Sequence, residues 1–234
     1  MLRHEVLRHE VLRHEVLRDV TFAPAVRHDS GRGGGAPMTR EPIESWELIS
    51  STYTFRDEWL TLRSDRVRLP DGSILDPFHV VELPDAVNVV ALSASGHILL
   101  VEQYRHVIGR RTIEIPAGQV DEGETPADAC RRELLEETGY GGGQWHDLGS
   151  LFPFGSRLTN RTHSFLALDV RKLAEPKLDN SENIRLHEIP WDDFAASLRD
   201  GQRPILEGSQ IGGLALLFMY VSSSTDPKLS RLRL

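Results

Sequence analysis

Residues 118–140, GQVDEGETPADACRRELLEETGY, restrict the fold more than any other part of the chain. Thr125 suits a helix N-cap, because its hydroxyl accepts from a free amide of the first turn, and Pro126 suits the first helical position. Asp128, three residues past the cap, makes an imperfect capping box and complements the helix dipole. Ala127, Ala129, Arg131, Arg132, Leu134 and Leu135 favour helix, and Gly139 closes it in the left-handed conformation. At about 100° per residue, Glu133, Glu136 and Glu137 then fall within an arc of roughly 100°. Three like charges on one face repel each other. A chain keeps such a cluster where something positive sits, and carboxylate oxygens suit hard divalent ions, above all Mg²⁺ or Mn²⁺.

For a lone E-x-x-E-E the plain alternative is a solvated acidic face with Arg131 and Arg132 as partners. The pattern here is longer. Gly118 and Glu124 precede Arg132-Glu133-Leu134-Leu135-Glu136-Glu137-Thr138-Gly139-Tyr140, which runs without a gap. Fixed identities at Gly118, Glu124, Arg132, Glu133, Glu136, Glu137 and Gly139, with apolar residues at 134 and 140, match by chance in on the order of one chain in a million.

The 234 residues suffice for one generous domain, or for one domain with an appendage. A net charge of -8 argues against a broad nucleic-acid footprint. An acidic protein that handles an anion needs local positive charge, from a metal and a few arginines. The single cysteine, Cys130, excludes an internal disulfide and suits a reducing compartment. Its place in the helix reads as a small core residue rather than a catalytic thiol. No apolar run spans a membrane, and the N-terminus lacks the apolar core of a secretory signal. A cytoplasmic protein with neither membrane nor nucleic-acid partner is expected.

Residues 2–16 are three copies of Leu-Arg-His-Glu-Val, a period that fits neither helix nor strand. Residues 31–37 read as a flexible linker. Residues 1–40 are therefore expected to be a tail dispensable for chemistry. Residues 41–84 read as β structure: Leu62, Val67 and Leu69 alternate with polar residues, and Pro70-Asp71-Gly72 makes a turn. Strands are predicted at 87–92, 98–103, 111–115, 148–152, 163–170 and 187–190. Asp192 is the predicted cap of a helix running to Arg199, and Ser209 that of a last helix ending near Val221. Residues 226–234 are left as a tail. Strands flanked by helices imply an α/β chain, a mixed sheet sandwiched between helices with a small N-terminal β-sheet appendage.

The pattern at 118–140 resembles the signature of the Nudix hydrolases, which implies the Nudix α/β/α sandwich over residues 85–225. Residues 45–220 resemble the ADP-ribose pyrophosphatase branch, through Gln103-Tyr104-Arg105, through Thr112-Ile113-Glu114-Ile115-Pro116-Ala117-Gly118, and through Glu182-Asn183-Ile184-Arg185. The resemblance implies a homodimer, with residues 41–84 supporting the dimer and shaping the base pocket. It implies water attack on one phosphorus of a nucleoside diphosphate derivative, aided by Mg²⁺ or Mn²⁺. Glu133 and Glu137 match the principal metal ligands, with Glu136 and the Ala117 carbonyl as further ones. Arg132 would orient the glutamates, or form an ordinary helix salt bridge. Glu124 would anchor the loop or assist a metal. Glu182 matches the general base, with Glu136 as its rival. Arg105 and Arg111 would hold phosphates or the terminal ribose, or be surface charges. Trp59 would stack on adenine or belong to the core. Asn160 would bond a ribose hydroxyl or a phosphate where some members have a glutamate, and Pro153-Phe154-Gly155 departs from the usual Pro-Gly. The expected reaction is ADP-ribose to AMP and ribose 5-phosphate. The alternatives are another nucleoside diphosphate sugar such as GDP-mannose, or a non-catalytic module that senses ADP-ribose or NAD.

Overall fold

Three strands come first among the described residues. They are β1 (Glu47–Arg56), β2 (Thr61–Arg68) and β3 (Ile74–Glu82), which pair antiparallel in the order β1-β2-β3. The β2–β3 turn forms at the Pro-Asp-Gly: Asp71 Oδ1 accepts from the Ser73 amide at 2.9 Å, and Gly72 takes φ 82°. β1 is an edge strand on which every residue is exposed, Leu48, Tyr53 and Phe55 included. The computed structural model describes residues 43–178, 183–202, 205 and 207–234; the five-residue repeats, the glycine-rich linker and Glu182 lie outside the described residues.

The larger sheet contains β4 (Ala86–Ser93), β5 (His97–Arg105), β6 (Arg110–Glu114), β7 (Ala117–Gln119), β8 (Tyr140–Gly141), β9 (Gln144–Leu151), β10 (Thr162–Lys172) and β11 (Arg185–Pro190). Its spine is β11-β5-β4-β10-β8, with β6 on β5, β7 on β4 and β9 on β10. The β4–β10 pair is parallel and the other pairs are antiparallel, so the sheet is mixed.

Successive strand residues point to opposite faces. Val87, Val89 and Ala91 of β4 and Leu99 of β5 pack against Ala129, Cys130 and Leu134 of α1 (Pro126–Thr138). Val90, Leu92, Ile98 and Leu100 pack on the other side, against α2 (Trp191–Arg199) and α3 (Gly208–Ser223) through Trp191, Phe194, Leu214 and Leu217. This is the expected sandwich, with helices on both faces of a mixed sheet. Among the described residues no helix is long and apolar enough to cross a membrane.

Three local expectations differ. Asp192 does not cap α2 but lies in its first turn. The chain enters that helix straight from β11, and the Trp191 amide is already tied to the Gly96 carbonyl at 3.1 Å. The cap of α3 is Glu207, not Ser209: the Glu207 carboxylate accepts from the Gln210 amide at 3.0 Å, and the Ser209 hydroxyl donates to the same carboxylate. α3 is also not the last helix, since α4 (Pro227–Ser230) follows. Leu229 and Leu232 are buried in the α3-side core, and the Trp191 indole donates to the Arg231 carbonyl at 3.1 Å. Apolar burial thus ties down residues 226–234.

Candidate active site

α1 forms as its sequence dictates. Thr125 Oγ1 accepts from the Asp128 amide at 3.2 Å and donates to the Asp128 carboxylate at 2.7 Å, with Pro126 in the first turn. Gly139 ends the helix at φ 77°, where a Cβ would stand 2.2 Å from the Ala174 carbonyl oxygen. Both the conformation and the close approach require glycine.

The acidic residues of α1 do not form a solvated face. Glu137 is only 3% exposed, and its Oε2 accepts from the Ala117 amide at 3.0 Å. Glu133 is nearly buried and lies against Gly118, where a Cβ would stand 2.0 Å from its Oε1. Glu136 is more open to solvent. Arg132 links this group. Its Nε and Nη2 donate to the two oxygens of Glu124 at 3.1 and 3.0 Å, its Nη1 to Glu133 at 2.8 Å and Glu136 at 3.1 Å, and its Nη2 also to the Gln119 carbonyl at 3.0 Å. The Glu124 hydrogen bond, reinforced by Glu133 and Glu136, pushes the guanidinium well above its ordinary range. The same bond from Arg132 holds the Glu124 carboxyl below the usual carboxylate range. Glu124 therefore ties the loop before α1 to the helix.

Beside the Glu137 end of α1 opens a cavity of about 370 Å³. Ala117, Gly118, Glu137, Gln103 and Arg105 line one side, and Glu207, Ser209 and Gln210 at the start of α3 line another. The two arginines expected at the substrate point to opposite faces of the β5–β6 hairpin. Arg105 shares a face with Gln103, Thr112 and Glu114 and lines this cavity. Arg111, paired across the hairpin with Tyr104, borders a separate depression with Glu102, Asn183 and Arg185, and lies 3.5 Å from Glu102.

Trp59 is 65% exposed, at the tip of the β1–β2 hairpin, and so belongs to no core; it is absent from the cavity wall. Asn160 is buried, and its Oδ1 has no hydrogen-bond partner among the described residues. Its neighbour two positions on, Thr162, reaches the cavity. Cys130 is fully buried in the α1-side core, and burial pushes its thiol well above the ordinary range.

Sequence reasoning gave no role to Gln103, Thr112, Glu114, Glu207 or Gln210, all at or just behind the cavity wall. Gln103 and Glu114 stand in the stretches that carried the resemblance, so a signal was present. Gln210 gave none, although its side-chain oxygen accepts from the Ile115 amide at 2.9 Å and fixes the strand end before Ala117.

The donor set suits a hard divalent cation: three carboxylates on adjacent turns and the backbone at Ala117. Gly118 is the cradle that lets Glu133 approach that backbone. Among the described residues no three acidic, histidine or cysteine side chains are gathered closely enough to hold a metal ion by themselves. Mg²⁺ does not need such a cluster, since it keeps several waters and is held by one or two carboxylates plus substrate phosphates.

Residues 82–208 match the NUDIX domain family, and residues 46–81 match the nucleoside diphosphate sugar hydrolase N-terminal domain. The chain is 37% identical over 172 residues to the ADP-ribose pyrophosphatase of Mycobacterium tuberculosis, covering 73% of this chain and 80% of that one. It is 32% identical over 148 residues to the ADP-ribose pyrophosphatase of Bacillus subtilis, covering 63% and 80%. Its fold matches a crystal structure of an ADP compounds hydrolase with TM-score 0.66 at 19% identity, covering 78% of this chain and 97% of the other.

Proposed function

The chain belongs to the Nudix hydrolases, and from that premise we propose that it hydrolyses ADP-ribose to AMP and ribose 5-phosphate with Mg²⁺ or Mn²⁺ as cofactor. One observation carries the reading. Buried Glu137 and nearly buried Glu133 meet the backbone at Ala117 and Gly118 on the rim of a cavity whose wall also holds Arg105. The N-terminal sheet supports a nucleoside diphosphate sugar as the substrate class, because its match is to the domain that accompanies such hydrolases.

Each residue then has a defined task. Glu133 and Glu137, with Glu136 and the Ala117 carbonyl, hold the divalent cation. When bound, that cation stabilises negative charge on the phosphoryl oxygens and lowers the cost of making water a nucleophile. Arg132 fixes Glu133 and Glu136 through separate bonds from one nitrogen, while its fork on Glu124 holds it in place. Arg105 binds a phosphate of the substrate. Glu182 takes the proton from the attacking water, with Glu136 as the rival base. Asn160, two residues before Thr162 of the cavity wall, is assigned to the parts of the substrate beyond the diphosphate, whereas Arg111 and Trp59, which do not line this cavity, are assigned no contact with substrate bound to the same chain. The protein acts in the cytoplasm as a homodimer, built on the exposed edge strand β1, whose unpaired backbone and apolar side chains need covering.

A coupled phosphatase assay tests the substrate. With Mg²⁺ and saturating alkaline phosphatase, phosphate release from ADP-ribose is expected to exceed release from GDP-mannose by at least about tenfold in kcat/KM, or about 1.4 kcal/mol. Equal or better turnover of GDP-mannose rejects ADP-ribose as the substrate. Tight binding of ADP-ribose with no turnover at saturating Mn²⁺ rejects catalysis and leaves a sensor.

A further inference from the structure

Glu114 is a buried carboxylate to which the chemistry above gives no task. It is 1% exposed, yet it is charged and heavily bonded. Arg105 donates to it through Nε at 2.8 Å and Nη2 at 2.5 Å, Thr112 through its hydroxyl at 2.6 Å, and Gln103 through its amide at 3.4 Å. Burial raises the Glu114 carboxyl, but the bonds from Arg105 and Thr112 outweigh it and leave the group below the ordinary carboxylate range. The Arg105 guanidinium is raised in turn, first by its bond to Glu114.

Burying a carboxylate is expensive, and pairing it with a well-placed arginine at best offsets the cost. Stability is therefore a poor reason for this pair, and orientation is a better one. A two-bond fork fixes the plane of a guanidinium, which a single contact does not. Here the fork uses Nε and Nη2, so Nη1 is the nitrogen not committed to Glu114. The carboxylate is sealed in the sheet while the Arg105 side chain remains 44% exposed on the cavity wall. Arg105 is thus held from behind and open in front.

The alternatives for Arg105 are close. Glu137 and Glu207 line the same cavity, and both attract its charge. An arginine released from Glu114 would swing toward one of them. Either move would take it away from the phosphate position. Because the Glu114–Arg105 pair is neutral overall, its benefit to an anionic substrate is placement, not charge.

We propose that Glu114 is a positioning residue for substrate binding: with Thr112 behind it, it holds Arg105 at the diphosphate subsite and away from Glu137 and Glu207. This rests on the reading of the cavity as the site of a nucleoside diphosphate sugar.

The test measures the dissociation constant of α,β-methylene ADP-ribose by calorimetry in the presence of Mg²⁺, for the full chain. Glu114→Gln is expected to weaken binding about tenfold, while kcat for ADP-ribose changes less than about threefold, the pattern of a lost uniform binding contact. In an Arg105→Ala background the same substitution is expected to change binding less than about twofold, because its effect passes through Arg105. Thr112→Val, which removes one bond to Glu114, is expected to weaken binding about threefold and to lose that effect in the same background. It stands in should Glu114→Gln fail to fold by circular dichroism. Unchanged binding in a folded Glu114→Gln, or a tenfold loss that persists without Arg105, overturns the proposal. Arg105→Ala alone separates the two layers. If it weakens binding while Glu114→Gln does not, only the positioning role fails; if Arg105→Ala binds normally, the assignment of Arg105 to the substrate fails with it.

Discussion

Gly118→Ala isolates the geometry of the acidic site from the stability of the fold. The Gly118 backbone lies outside the left-handed region, so alanine adds no conformational strain. Its Cβ would stand 2.0 Å from Glu133 Oε1, 2.1 Å from Cδ and 2.5 Å from Oε2. Ordinary van der Waals contact begins near 3.4 Å, so the carboxylate must retreat by more than 1 Å. Glu133 is a flexible side chain and can do so. The lost contact to Arg132 is worth about 0–1 kcal/mol for such a partly exposed pair. Replacing a glycine returns about 0.4–1 kcal/mol through the unfolded chain. The two nearly cancel, and the melting temperature is expected to move by no more than about 4 °C. Turnover is different: a 1 Å misplacement of a reacting group costs about 10²-fold, or about 2.7 kcal/mol in the barrier. The assay is phosphate release from ADP-ribose with Mg²⁺ and saturating alkaline phosphatase, which frees phosphate from the products, run beside a thermal melt. A normal melt with turnover down about 10²-fold is expected. Near-normal turnover would refute the claim that Glu133 must sit against this backbone. A collapsed melt would refute the claim that the clash is confined to one side chain.

Glu137→Gln keeps an oxygen for the Ala117 amide but removes a charged ligand; turnover is expected to fall at least about 10²-fold with a melt close to wild type, and a near-normal rate contradicts the ligand assignment. The Cys130 thiol, raised by burial and by Glu133, stays protonated and inaccessible, so a disulfide-exchange reagent at pH 8 is expected to label it only after denaturation; rapid labelling of the native protein contradicts its burial. Glu114, lowered in the folded state, contributes stability that is fully present above its unfolded value of about 4.3 and is lost as pH falls through its lower folded value. The urea midpoint of wild type is therefore expected to fall more steeply below about pH 4 than that of Glu114→Gln, and parallel pH profiles contradict the depressed carboxyl.

The sandwich was legible because its signals are local and repeated. Thr125-Pro126 and Gly139 bracket α1, and the apolar runs of β4, β5 and β10 mark buried strands. Cap positions were less legible. Glu207 rather than Ser209 caps α3 because the helix begins at Gly208, so that the Glu207 carboxylate reaches forward to the Gln210 amide while Ser209 already lies in the first turn, which composition cannot show. The α1 carboxylates were found by spacing, but spacing does not show that Glu137 is buried, with its carboxylate accepting from the Ala117 amide of β7. Arg105 and Arg111 looked equivalent in sequence. The strand pairing of β5 with β6 sends one to the cavity and the other to the opposite face. The Glu114 fork depends on that same pairing, since it joins residues nine positions apart across two strands.

The most direct test is the position of a manganese ion in crystals soaked with Mn²⁺. Anomalous scattering is expected to place at least one ion at about 2.1 Å from carboxylate oxygens of Glu133 and Glu137, facing the cavity that contains Arg105. Full occupancy of Mn²⁺ elsewhere, with these two carboxylates still closed on Arg132 and the Ala117 amide, would contradict the account.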